Sequence, residues 1–200
     1  MIIYCIMKLS LIKGEELGMQ DNRVIKWQDT KDPVALSVGP KFYQTVSRDP
    51  VRTPFQWSAE KNAGFSNVPR PWLPVHPNYE RLNLKRQLAA DRSHYKVYKS
   101  LINLRREPVL RDGRCQVEVL NKWVFAIIRS LKNHPNFITV INVGPKPQVI
   151  NAFKLLDDIK HMRILITGTH SKYNVGFLIT TDNINKIRLA PHEGIVCLAA

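Results

Sequence analysis

Residues 20–90 constrain this chain more than any other stretch. Eight prolines fall within them: Pro33, Pro40, Pro50, Pro54, Pro69, Pro71, Pro74 and Pro77. Proline removes a backbone donor and disrupts both helix interiors and central strands. Neither the 3.6-residue helical period nor strand alternation runs through the segment. Some seventy residues without regular structure are uncommon in a compact domain and usually mark a functional loop. Trp27, Trp57 and Trp72 lie within it. Such large apolar side chains predict a loop packed against a body that covers them, and argue against a free linker.

The pattern then changes twice. Ser93–Arg106 places Val97, Leu101 and Leu104 on one face, with Tyr98 and Ile102 beside them, as an amphipathic helix does. Asp91 or Ser93 can cap its start, Arg105 and Arg106 suit the negative end of its dipole, and Pro108 stops it. Beyond residue 109 the spacing predicts short strands: 116–121, 123–129, 137–143, 163–167, 176–180, 186–189 and 194–199. Turn residues separate them, with Lys132-Asn133-His134-Pro135 as a hairpin turn. This grammar predicts an antiparallel sandwich or barrel.

The net charge of +14 invites a nucleic-acid reading. The excess peaks only mildly, with 10 basic against 4 acidic side chains in residues 80–114, and no basic run or basic–aromatic repeat concentrates it. A solvated basic surface is the better account, with no nucleic-acid partner expected. Met1–Met7 is far short of the ~20 residues that span a bilayer, so no membrane span is expected. It also lacks the flanking charge and cleavage site of a signal peptide. Cys5, Cys115 and Cys197 are too few and too scattered for a disulfide framework, which leaves the compartment open. No His/Cys/Asp/Glu spacing fits a metal site and no glycine-rich phosphate loop occurs, so neither a metal nor a cofactor is expected.

Two segments carry possible chemistry. Gly14-Glu15-Glu16-Leu17-Gly18-Met19 follows the apolar run Leu9–Ile12, as in a loop at the end of a barrel strand. The simpler expectation is that its acids bind backbone or an arginine. Ser47-Arg48-Asp49-Pro50-Val51-Arg52-Thr53-Pro54-Phe55-Gln56-Trp57 is more informative. Arginine supplies a rigid set of donors and tryptophan a flat apolar face, a pairing suited to a sugar. A structural ion pair of Asp49 with Arg48 or Arg52 explains the same residues equally well. His94 reads as a packing residue.

These segments, with Asn62-Ala-Gly-Phe65, Trp72-Leu-Pro-Val75, Asn78-Tyr79 and Ser93-His-Tyr95, occur in an order that closely resembles the late part of insect-type maltases. Those are α-glucosidases of glycoside hydrolase family 13, oligo-glucosidase branch. The resemblance implies an α+β fragment: the last strand, long loop and last helix of a (β/α)8 TIM barrel, followed by a C-terminal antiparallel β-sandwich. Residues 1–13 would be an atypical N-terminal segment, 14–107 the end of the barrel and 108–200 the all-β domain.

It also implies a retaining α-glucosidase acting on terminal α-1,4-linked glucose, in secreted or membrane-tethered proteins. Its Asp nucleophile, Glu acid and second Asp lie upstream of the part resembled, so no catalytic residue is assigned and this chain is expected to be inactive alone. Arg52 matches the arginine that contacts the substrate glucose, while Asp49, Gln56 and Trp57 match the loop that supports it. Ser58, Val51 and His76 stand where the family has Asp, Glu and Asn. The alternative within the same fold is a non-catalytic, partner-binding ectodomain of the amino-acid transporter heavy-subunit type.

Overall fold

A computed structural model describes residues 13–155 and 159–199. The expected segment 1–13, apart from Lys13, and the expected strand at Leu9–Ile12 lie outside them. The described residues divide into two compact units, 13–96 and 97–199. The chain is mixed α and β, and every strand pair among the described residues is antiparallel.

The first unit is less bare than its sequence suggests. It contains three short helices, α1 (Pro33–Val38), α2 (Tyr43–Val46) and α3 (Leu84–Ala89), besides several 3-10 turns. Asp32 caps α1 by accepting from the Val34 N–H at 3.1 Å, and Pro33 fills the first helical position, where no donor is needed. Asn83 caps α3, accepting from the Arg86 N–H at 2.9 Å. Leu17, Ile25, Ala35, Phe55, Ala63 and Leu73 are buried.

Helix α4 (His94–Leu104) starts from the Ser93 hydroxyl, which accepts from the Lys96 N–H at 3.2 Å, and the unit boundary falls inside it. Pro108, instead of merely ending that helix, opens α5 (Pro108–Asp112). In the second unit, strands β1 (Arg114–Val119), β2 (Val124–Ser130), β3 (Asn136–Asn142), β5 (His161–Thr167), β6 (Leu178–Thr180) and β8 (Gly194–Ala199) form one sheet in the order β1-β2-β3-β8-β5-β6. Strands β4 (Gln148–Ile150) and β7 (Ile187–Leu189) pair separately. The β2–β3 turn is the one expected, with Asn133 at φ +64°.

The central strands are buried along nearly their whole length because both faces are covered. Val124, Ala126 and Ile128 join Ile150, Ile187 and Leu189 of the small sheet in one cluster. The intervening Ile127 points the other way, into a cluster with Leu101, Val109 and Leu110. This is strand alternation with an apolar partner on each side. Gly113 is required where α5 turns into β1, since a Cβ there would lie 2.3 Å from the Val109 carbonyl oxygen. The buried Arg129 guanidinium donates to the Val109 and Leu110 carbonyls at 3.4 and 2.7 Å, and so caps α5.

Strand β8 lies between β3 and β5, so the sheet needs the last strand of the chain to close its middle. Burial pushes the Cys197 thiol on that strand up to about 12, which makes it a packing residue and not a nucleophile. Ile138 on β3, fully buried opposite Cys197, tests this packing. Ile138→Ala is expected to destabilise the second unit by about 2–5 kcal/mol in urea unfolding. A loss under about 1 kcal/mol would be at odds with a close-packed core.

Candidate functional site

The loop carrying Arg52 is fixed by two buried acids. Asp32 accepts from Arg48 three times, from its backbone N–H at 2.8 Å and from its guanidinium at 2.9 and 2.6 Å. Asp49 accepts at Oδ2 from the backbone N–H groups of Lys31 and Asp32, at 2.7 and 3.0 Å. Each acid therefore reaches across to the other's segment. The Arg48 side chain beside Asp32 holds that carboxyl well below the usual carboxylate range, and its backbone N–H adds to the effect. The ion pair expected for Asp49 with Arg48 or Arg52 is not the one formed. Arg48 takes Asp32, sixteen residues upstream, and Asp49 serves as a backbone anchor.

Asp49-Pro50-Val51 makes a 3-10 turn, closed where the Arg52 N–H donates to the Asp49 carbonyl at 2.9 Å. The Arg52 side chain then projects to the surface. Among the described residues it has no hydrogen-bond or ion-pair partner. It lines a pocket of about 310 Å³ together with Lys13, Met19, Phe55, Phe65 and Trp72.

Gln56 is fully buried. Its Nε2 donates to Asn78 Oδ1 at 2.9 Å and to the Leu82 carbonyl at 2.7 Å, while its Oε1 has no partner among the described residues. Trp57 packs on Phe55 at 4.6 Å between ring centroids and does not line the pocket.

The expectation that all three tryptophans would be covered is not met. Trp27 is half-buried against Tyr43, but Trp57 is 46% and Trp72 72% exposed. Trp72 opens onto the Arg52 pocket, and the Lys31 ammonium lies 5.6 Å from its ring centroid. Sequence reasoning missed Trp72 and Phe65 as pocket residues. Their placement depends on a backbone turn that no periodicity announces.

That turn runs left-handed through Asn62, Ala63 and Gly64, at φ +52°, +59° and +66°. It brings the Ala63 carbonyl to accept from both Trp57 and Ser58 N–H groups, at 2.9 and 3.0 Å. Asn62 Nδ2 then donates to the Ser66 and Val68 carbonyls at 3.0 and 2.8 Å, which fixes the segment bearing Phe65.

Two of the three departures from the resembled pattern have local accounts. His76 Nδ1 accepts from the Asn78 N–H at 3.1 Å and caps the turn Pro77–Glu80, a task an asparagine oxygen also performs. Ser58 is buried and its hydroxyl accepts from the Glu60 N–H at 3.2 Å. Val51 is exposed, and nothing in the structure explains it. In the first motif, Glu16 accepts from the Gly14 N–H at 2.7 Å, as the structural expectation held. His94 is packed against Gly18, its Nε2 lies 2.8 Å from the Glu15 carbonyl, and burial lowers its basicity. Gln87 joins the same motif to α4, donating to the Leu17 carbonyl at 2.8 Å and accepting from the Tyr95 N–H at 2.7 Å.

Two expectations follow from this geometry. Because Asp32 is more acidic folded than unfolded, its stabilisation is present above its unfolded value of about 3.9 and is lost as the pH falls towards the folded one. Asp32→Asn should therefore lower the denaturation midpoint at pH 7, followed by tryptophan fluorescence, with the gap to wild type closing below about pH 4. A pH-independent gap would mean that the charge is not the cause. Gly64→Ala should cost about 1–2 kcal/mol through its left-handed backbone, measured the same way, and no loss would mean that the turn has another conformation.

The alpha amylase catalytic-domain family matches residues 3–113. Maltase 1 of Drosophila virilis is 49% identical over 183 residues, covering 92% of this chain and 28% of the relative. Salivary alpha-glucosidase of Anopheles gambiae is 37% identical over 92% of this chain and 30% of its own length. Among solved structures, trehalulose synthase MutB of Pseudomonas mesoacidophila superposes with a TM-score of 0.74 at 28% identity, over 94% of this chain and 34% of that one. The chain thus spans less than a third of the length of these two insect relatives. With a catalytic-domain match across more than half of its residues, and a maltase relative sharing nearly every second aligned position, the chain belongs to the alpha-amylase family.

Proposed function

We propose that this chain supplies the substrate-gripping loop and the C-terminal β module of an α-glucosidase that removes terminal, non-reducing α-1,4-linked glucose with retention. One observation carries the reading. In a chain 49% identical to a maltase over 183 residues, the loop motif holds an arginine that has no partner among the described residues and lies beside exposed aromatic rings. A guanidinium left free in this way is available to sugar hydroxyls. Relatives that are maltases and α-glucosidases favour an enzyme over a transporter-associated ectodomain.

In this reading, residues 14–107 are the end of a (β/α)8 barrel, comprising its last loop and helix, and 108–200 are the C-terminal β-sandwich domain. Arg52 contacts the terminal glucose. Asp49 fixes the turn from which it projects, while Gln56 and Trp57 anchor the chain after it. Bond cleavage with retention needs a nucleophile and an acid roughly 5–5.5 Å apart. The motifs that supply them in the resembled family have no counterpart in this sequence.

The purified chain is accordingly expected to release no glucose from maltose above blank, and release from a clean preparation would overturn the reading. In a longer protein that joins this segment to the three carboxylates, Arg52→Ala should reduce kcat/KM for maltose roughly 10–100-fold, the scale of a lost hydrogen bond to a charged group. An unchanged kcat/KM would remove Arg52 from the site.

A further inference from the structure

Arg52 provides donors but no surface, and a pyranose ring has an apolar C–H face as well as hydroxyls. The structure puts two aromatic rings beside the guanidinium. Trp72 is 72% exposed and Phe65 45% exposed, yet both line the Arg52 pocket. Exposing an indole to this extent forgoes the burial that usually holds tryptophan inside a fold. The exposure is not that of a loose segment. Pro69, Pro71 and Pro74 bracket Trp72 in the sequence, and restrict its backbone before any ligand arrives. Phe65 follows the left-handed turn directly, and Asn62 fastens the backbone on its far side through Ser66 and Val68.

We propose that Trp72 and Phe65 are the faces against which a pyranose ring of an α-glucoside lies while Arg52 holds its hydroxyls. The inference rests on the glycosidase reading and deepens it by assigning the aromatic half of that site. The occupant is a sugar ring because the pocket joins the Arg52 guanidinium to two exposed aromatic rings, with the Lys31 ammonium as a further donor 5.6 Å from the Trp72 centroid. At about 310 Å³ it stands at the small end of ligand pockets. Neither ring is among the buried residues of the unit. Trp57, the tryptophan within the motif itself, does not line the pocket and has no part in this role.

The test is maltose binding to the purified chain, read by saturation-transfer NMR and by indole fluorescence, with cellobiose and xylose as comparison sugars. Wild type is expected to bind maltose. Trp72→Ala should weaken it about two- to tenfold, the scale of one aromatic contact, with Trp72→Phe recovering most of the loss and Phe65→Ala giving a smaller one. Because Trp72 is exposed, the thermal midpoint of its variants should match wild type, which separates lost contact from lost fold.

Equal maltose affinity in Trp72→Ala and wild type overturns the aromatic assignment and leaves the glycosidase reading standing. Absence of binding by any sugar also overturns the assignment, while hydrolysis by the longer protein decides the reading separately. Binding of cellobiose or xylose in preference to maltose, lost on Trp72→Ala, supports the aromatic faces but contradicts their α-glucoside occupant and the reading on which it rests.

Discussion

The crossed anchoring of Asp32 and Asp49 governs the first unit. A segment with few ladders leaves many backbone N–H groups in need of acceptors, and a buried one without a partner is costly. Two buried carboxylates solve this locally. Asp49 takes the N–H groups of Lys31 and Asp32, and Asp32 takes those of Val34 and Arg48 together with the Arg48 side chain. The result joins residues 31–34 to residues 48–52 with charge-assisted bonds in place of a sheet. The turn that presents Arg52 stands directly on that joint. Removing either acid would leave buried donors unsatisfied as well as freeing the loop.

Much of the second unit was legible in the sequence because it obeys a period. Helix α4 and most strands showed themselves through spacing, and the Asn133 turn through its residue types. What spacing could not show is that the last strand sits mid-sheet between β3 and β5. Order within a sheet depends on which faces match, not on local pattern. Strand β4, with three residues, is too short to display alternation.

In the first unit the period fails and only end signals survive. Asp32-Pro33 is a cap followed by a first-position proline, and Asn83 is a cap on α3. Both were readable, but the helices they cap have six residues each, too few for a repeat. The partner of Arg48 was not readable. Asp49 is adjacent and Asp32 is sixteen residues away, and only the folded path of the chain decides between them. The pocket shows the same limit. Sequence proximity put Trp57 next to Arg52, whereas the left-handed turn at Asn62–Gly64 and the prolines around Trp72 bring Phe65 and Trp72 there instead. Residue types suggested a sugar site, and folding decides which aromatics line the pocket beside Arg52.

The central claim is that acids, not secondary structure, hold the arginine-bearing loop in place. Amide hydrogen exchange at Lys31, Asp32 and Arg48 in the intact chain tests it most directly. Protection at all three amides, lost at Lys31 and Asp32 when Asp49 becomes alanine, is the result the account predicts. Exchange at free-peptide rates in the wild-type chain, or protection untouched by Asp49→Ala, would contradict it.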